Sequence, residues 1–145
     1  TMLVGYPGET EEDFQQLLEF VKEARFERLG AFAYSREEGT PSFDLPDQVE
    51  DDVRARRFDE LMYTQRDIAR QHNEGMVGRE VEVLIEKQST ESDLVWVGRI
   101  AQQAPEIDGI TYVGSADYVN VGKIIKARIT QSTDYDLVAE PIALL

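Results

Sequence analysis

The chain has 145 residues, 41% of them apolar, with 15 Lys+Arg against 29 Asp+Glu and a formal net charge of -14. This is a globular rather than a disordered composition, long enough for one domain or for a small complete domain joined to a piece of another. The lack of any cysteine excludes disulfides, zinc–thiolate sites and thiolate-held iron–sulfur clusters within these residues, and the acidic balance argues against broad attraction to phosphate backbones or anionic membranes.

The opening "TMLVGYPGET" starts on an apolar run, Met2-Leu3-Val4, with no turn signal before it. Residues 2–5 read as a buried strand of a parallel sheet. A lone terminal strand has nothing to pair with, so sequence upstream of it is expected. "GYPGE" is turn chemistry, and Thr10 caps a helix with Asp13 in the capping-box position and Glu11 and Glu12 in the first turn. Phe14, Leu17, Leu18 and Val21 follow at helical spacing and predict one buried face. "LGAFAY" reads as a second short buried strand. Strand–helix–strand at these lengths predicts a βαβ unit and a parallel sheet.

The segment 31–49, "AFAYSREEGTPSFDLPDQV", leaves that strand through charge and turns at Gly39-Thr40-Pro41. Pro46 and the acids Asp47, Glu50, Asp51 and Asp52 announce a second helix reaching to about Asn73. Acids at its start and Arg66 and Arg70 near its end match the helix dipole. Asn73 and Gly75 end it.

From Val77 the texture becomes alternating. "REVEVLIEK", "LVWVGRIA", "GITYVG", "VGKIIKARIT" and "DYDLVAEP" read as five short strands, punctuated by Gly, Asp, Asn and Ser. Five strands without helices predict a small closed barrel of the OB type. In the fourth strand Ile125, Ala127 and Ile129 suit the interior, and Ile124, Lys126 and Arg128 a partly basic outer face. Residues 78–145 hold six Lys/Arg against eleven Asp/Glu, so the barrel itself is acidic. The predicted organisation is residues 1–46, a connecting helix region 47–77, and a barrel 78–142.

Two polar turns fall at the carboxyl ends of the two parallel strands, where α/β folds bind ligands. Gly5, Pro7, Gly8 and Glu9 form one, and Tyr34, Ser35, Arg36 and Thr40 follow the other. The first is not a phosphate-binding P-loop, because no Gly-Lys-Ser/Thr follows. His72, without cysteine partners and near a helix end, reads as a cap or packing residue, and Trp96 as core. No Ser/His/Asp set and no paired-carboxylate spacing stands out.

"VGYPGETEEDF", "YSREEGTPSFDLPDQV", "APEIDG" and "DYDLVAE" occur in this order and at these separations. Together they resemble the C-terminal part of the radical S-adenosylmethionine (SAM) methylthiotransferases, RimO type, over about residues 1–141. Ser42 stands where that family commonly has Ala, and Ala139 where it usually has Gly. The resemblance implies that residues 1–46 end a radical SAM partial barrel and that residues 78–142 form a TRAM domain, an OB-like substrate-recognition barrel. It implies SAM near Gly5, Pro7, Gly8 and Glu9, as positioning residues rather than acid–base catalysts. Tyr34, Ser35, Arg36 and Thr40 would lie near substrate, and Lys126 and Arg128 would be substrate contacts on the barrel. Two 4Fe-4S clusters belong to the full-length family members. This chain holds no cluster cysteine, so no metal site is expected and the fragment alone is expected to be inactive.

The RimO branch implies methylthiolation of an aspartate on a basic protein of the small ribosomal subunit. An acidic barrel suits such a partner, whereas the tRNA-modifying, MiaB-type branch calls for a basic surface. "SREEGT" also resembles the RimO branch; the tRNA branch more often has Pro-Arg-Pro where this chain has Arg-Glu-Glu. An RNA-binding barrel with a stripe of Lys123, Lys126 and Arg128, and an isolated OB-like interaction module, are the alternatives. No apolar run approaches the roughly 20 residues of a membrane span and no signal peptide is visible, so a cytoplasmic location is expected.

Overall fold

A computed structural model describes all of residues 1–145. The chain forms two compact units, Thr1–Ile68 and Ala69–Leu145.

In the first unit, β1 (Met2–Val4) pairs in parallel with β2 (Ala31–Ala33), and α1 (Glu11–Ala24) makes the crossover. The capping box is complete. The Thr10 hydroxyl accepts from the Asp13 N–H at 3.1 Å, and the Asp13 carboxylate accepts from the Thr10 N–H at 2.9 Å. Phe14, Leu18 and Val21 of α1 are buried against Val4 and against Leu61 and Ile68 of α2 (Asp51–Glu74). The expected βαβ unit is therefore present as a two-stranded sheet.

Two expectations need correction. β2 is not a buried strand, because Phe32 is 65% exposed and its register partner Leu3 is 48% exposed. Alternation along a strand sends these two to the face opposite Val4, and no element of this unit covers that face. The second helix starts at Asp51 rather than at residue 47. Asp47 has φ 56°, a left-handed conformation that cannot join a right-handed helix. Its carbonyl instead accepts the Gly8 N–H at 2.9 Å.

The second unit is a closed barrel of β3 (Glu80–Gln88), β4 (Val95–Arg99), β5 (Thr111–Gly114), β6 (Ile124–Ser132) and β7 (Leu137–Leu144). The strand order is β3-β4-β5-β7-β6, closed by pairing of β6 with β3. All pairs are antiparallel except β5 with β7. The interior holds Val83, Ile85, Val113, Ile125, Ala127, Ile129, Leu137 and Ala139. Ile125, Ala127 and Ile129 thus share the inner face, as their alternation predicts. Trp96 is partly buried against the same core. At the C-terminal end of α2, the Asn73 amide donates to the carbonyls of Thr133 and Asp134 at 3.2 and 3.3 Å, anchoring that end to the β6–β7 turn. No helix is long and apolar enough to cross a membrane.

The backbones approach closely where Gly109, just before β5, meets the β6–β7 turn. A Cβ there would lie 1.9 Å from the Tyr135 carbonyl oxygen. Gly30, in contrast, has nothing within 4 Å of a built Cβ and has no positive φ. Gly109→Ala is expected to destabilise the barrel by about 1–3 kcal/mol through overpacking, and Gly30→Ala to change stability by less than about 0.5 kcal/mol. Urea unfolding of the two variants measures the contrast.

Candidate functional site

The parallel pairing of β1 and β2 places both of their carboxyl ends on one edge of the first unit. The turn after β1 begins at Gly5, φ 75°, and passes Gly8, φ 88°. Both values lie in the region that glycine enters without a Cβ penalty. The turn is closed from within by Glu9, whose carboxylate accepts the Gly5 N–H at 2.9 Å. The same oxygen accepts from Arg57 Nη1 at 2.7 Å, and Arg57 also donates to the Glu9 carbonyl at 3.1 Å. Arg57 is 5% and Glu9 14% exposed in their side chains. This is a nearly buried ion pair in which one oxygen of the Glu9 carboxylate, Oε1, takes both the Gly5 N–H and Arg57.

Arg54, one turn earlier on α2, lies along Gly5. A Cβ at Gly5 would come within 2.3 Å of the Arg54 side chain. Its guanidinium stands 5.6 Å from the Tyr34 ring centroid and pairs with Asp51. Tyr34 meets Tyr6 edge-on at 5.4 Å, and its N–H donates to the Val4 carbonyl at 2.9 Å. Tyr34, Ser35 and Arg36 line a cleft of about 540 Å³ with Ala33, Asp51 and Arg54. The Tyr34 hydroxyl and Arg54 Nη1 are buried without a hydrogen-bond partner.

The structure brings Tyr34, Ser35 and Arg36 together around this cleft, while Gly5 packs on Arg54 beside them. Thr40 is not among the cleft residues. Its hydroxyl donates to the Glu37 carbonyl at 2.7 Å and holds the turn at Gly39. Ser35 donates to Glu37 at 2.6 Å, and Arg36 donates to the Phe43 carbonyl at 2.9 Å over the Phe43 ring. The Gln48 amide donates to the carbonyls of Ser42 and Leu45. The long connection is specified because it hydrogen-bonds to itself.

Arg54 and Arg57 are absent from the sequence-based site. Their signal is "RARR", residues 54–57. Cations in the first turns of a helix oppose its dipole, so such a run calls for acids elsewhere in the fold. Arg56 and Arg57 both reach Glu11 Oε2, at 2.9 and 3.3 Å. The Arg56 hydrogen bond is the main reason that the Glu11 carboxyl is lowered from 4.5 to about 2. The Asp13 carboxyl is also lowered, by the Thr10 backbone N–H and then its hydroxyl.

On the barrel, Lys126 and Arg128 are brought together by Glu80 on the neighbouring strand. Lys126 Nζ lies 2.6 Å from one carboxylate oxygen and Arg128 Nη2 3.0 Å from the other. Hydrogen bonds from Lys126 and then Arg128 hold the Glu80 carboxyl below its ordinary range. The expected basic face is thus locally offset by an acid.

The residues present do not fit an iron–sulfur cluster. There is no cysteine, and no group of three or more His, Asp or Glu could hold a metal ion. The space over Gly8 is open, and the cleft lined by Tyr34, Arg36 and Arg54 holds two buried polar atoms without hydrogen-bond partners, the Tyr34 hydroxyl and Arg54 Nη1, so this edge has room and polar groups for a small polar cofactor.

In chain order, a two-stranded βαβ unit is followed by a closed five-stranded mixed barrel of the kind a TRAM domain forms. Residues 77–142 match the family model of the TRAM domain. Three relatives carry the name ribosomal protein uS12 methylthiotransferase RimO. The protein of Geotalea uraniireducens is 52% identical over 140 residues, that of Geobacter sulfurreducens 48% over 143, and that of Desulfitobacterium hafniense 47% over 142. These alignments cover 97%, 99% and 98% of this chain, but 31%, 32% and 32% of the relatives. The chain belongs to the RimO-type methylthiotransferase family and spans about a third of the length of these members.

Breaking the buried pair from one side leaves an uncompensated charge, so Arg57→Ala is expected to destabilise the first unit by about 3 kcal/mol or more. Thr10→Ala, which removes only a cap, should cost about 1 kcal/mol. Chemical denaturation of each variant checks the order. The pH dependence has a definite sign. Because the folded Glu11 value lies below its ordinary 4.5, its contribution is present above about 4.5 and is lost as pH falls toward 2. Glu11→Gln should flatten the acid limb of a stability–pH curve in that window.

Proposed function

We propose that the full-length protein adds a methylthio group to an aspartate of ribosomal protein uS12, and that the barrel of residues 78–142 recognises that protein. The observation that carries this reading is the 46–52% identity, over 97–99% of this chain, to proteins named for that activity. The acidic barrel supports it physically. Six cations against eleven acids favour association with a basic protein and disfavour a phosphate backbone.

In this reading the β1 and β2 carboxyl edge faces the reaction. Gly5, Pro7, Gly8 and Glu9 lie on the SAM side of this edge as positioning residues, with Glu9 Oε1 bracing the turn. When bound, SAM supplies the radical that opens the aspartate β-carbon to sulfur insertion, and the methyl group. Tyr34, Ser35 and Arg36 line the substrate side, and Thr40 shapes the loop behind them. Arg57 acts through Glu9 as a positioning residue. Both 4Fe-4S clusters are held by residues outside this chain, which alone is inert, and the protein works in the cytoplasm.

Binding of the 145-residue chain to purified uS12 and to a tRNA anticodon stem-loop, at physiological salt, tests the recognition step. Tighter binding to uS12 is expected; tighter binding to RNA would overturn the assignment. In that event Lys126→Glu/Arg128→Glu should abolish RNA affinity and reduce its salt slope. Anaerobic reconstitution of the chain with iron and sulfide should yield no iron–sulfur absorption.

A further inference from the structure

The barrel carries a groove of about 450 Å³ on the side formed by β4, β5 and β7. One wall is the outer face of the sheet, where Val95 of β4, Tyr112 of β5 and Val138 of β7 are all partly exposed. The register sets Tyr112 beside Val138 and Val95 beside Gly114, giving a shallow apolar floor without a bulky side chain at Gly114. The other wall is the β3–β4 loop, residues 89–94. That loop is braced internally. Ser89 Oγ accepts the Glu91 N–H at 3.1 Å, Ser92 Oγ accepts the Leu94 N–H at 3.2 Å, and Gln88 Nε2 donates to the Asp93 carbonyl at 2.9 Å.

β4 and β5 are the second and third strands of the five-stranded barrel. In OB-type barrels that face, flanked by the loop between the first and second strands, is where oligonucleotides and oligosaccharides lie. Here its only charged lining residues are Glu91 and Glu140, both exposed. Neither is in an ion pair. Arg128, which faces Glu140 across the β6–β7 ladder, is held by Glu80 at 3.0 Å. Barrel cations are offset elsewhere too, with Arg99 on Glu86 at 2.8 Å and Lys126 on Glu80 at 2.6 Å. The groove therefore combines an apolar floor, a preorganised wall and two unspent carboxylates. Phosphate would be repelled there, while a lysine- or arginine-bearing strand would find both charge and contact.

We infer that this β4–β5–β7 groove, with Glu91 and Glu140 as its charge determinants, docks an extended basic segment of the substrate protein. The inference rests on the reading that the barrel recognises uS12, and deepens it by assigning the face. The β3–β6 face carrying Lys126 and Arg128 has both cations paired with Glu80 and is not that surface.

The test is titration of the isotope-labelled 145-residue chain with purified uS12, followed by amide chemical shifts and calorimetry. Residues 89–95, 112–114 and 138–140 should shift. Glu91→Lys/Glu140→Lys should weaken binding by about tenfold or more, with the remaining affinity less salt-dependent. Glu82→Lys/Asp117→Lys makes the same change in net charge away from the groove and should weaken it by less than about threefold. Glu91→Gln/Glu140→Gln, with no added cation, should give a smaller loss in the same direction. Circular dichroism confirms that each variant is folded. If the unaltered chain binds uS12 and the groove variants bind equally well, the groove assignment is overturned and the recognition reading stands. If the unaltered chain does not bind uS12, the recognition reading falls and the groove with it. If single-stranded RNA moves the same resonances at physiological salt, the charge argument is overturned.

Discussion

The first unit depends on one buried ion pair. Arg57, on α2, reaches back 48 residues to the Glu9 carboxylate, which also accepts the Gly5 N–H. A guanidinium taken out of water needs both charge and hydrogen-bond partners. The turn after β1 supplies them only in one conformation. A hydrophobic pair of the same volume could give equal or greater stability. What the ion pair supplies is a single arrangement of the βα turn, with Arg54 held along Gly5 and Tyr34 held by Arg54, Tyr6 and the Val4 carbonyl. Tyr34 is thereby fixed through its neighbours to α2, while Ser35 and Arg36 are held within their own loop by Glu37 and Phe43.

The barrel distributes charge in the opposite way. Arg99, Lys126 and Arg128 are paired with the local acids Glu86 and Glu80, while Glu91 and Glu140 at the β4–β5 groove have no such partners. Net charge says that the domain is acidic; pairing decides where that acidity is available. A closed sheet has no free edge along most of its length, so recognition falls to its outer face and its loops rather than to strand addition. Gly109 lets the loop before β5 pack on the β6–β7 turn, and a bulge shifts the β3–β4 register between Ile85 and Lys87.

The elements were largely legible because each carries a local signal. Thr10 and Asp13 announce α1 through a capping box, and Ile125, Ala127 and Ile129 declare the inner face of β6 by alternation. Where reading failed, the deciding partner was distant in sequence. Asp47 belongs to an acidic run that looks like a helix start, yet its carbonyl is committed to Gly8 and its backbone is left-handed. "LGAFAY" looks buried because it is apolar, yet Phe32 faces a side that this unit leaves uncovered. Nothing adjacent in the sequence accounts for the placement of Arg54 along Gly5 or for Arg57. Their explanation lies at Gly5, Glu9 and Glu11.

By itself the sequence determined the element types, the chain order of a βαβ unit and a small barrel, the exclusion of any thiolate-held cluster, and the family. All of these follow from local periodicity, composition and motif order, which need no knowledge of distant contacts. Only the tertiary structure decided which charges are free. Lys126 and Arg128 read as a partly basic face, and the structure adds Glu80 paired with both; Glu9 reads as part of a polar turn, and the structure adds Arg57 on its carboxylate. Ion pairing is a property of three-dimensional proximity across strands and helices, and a sequence states only that the charges exist.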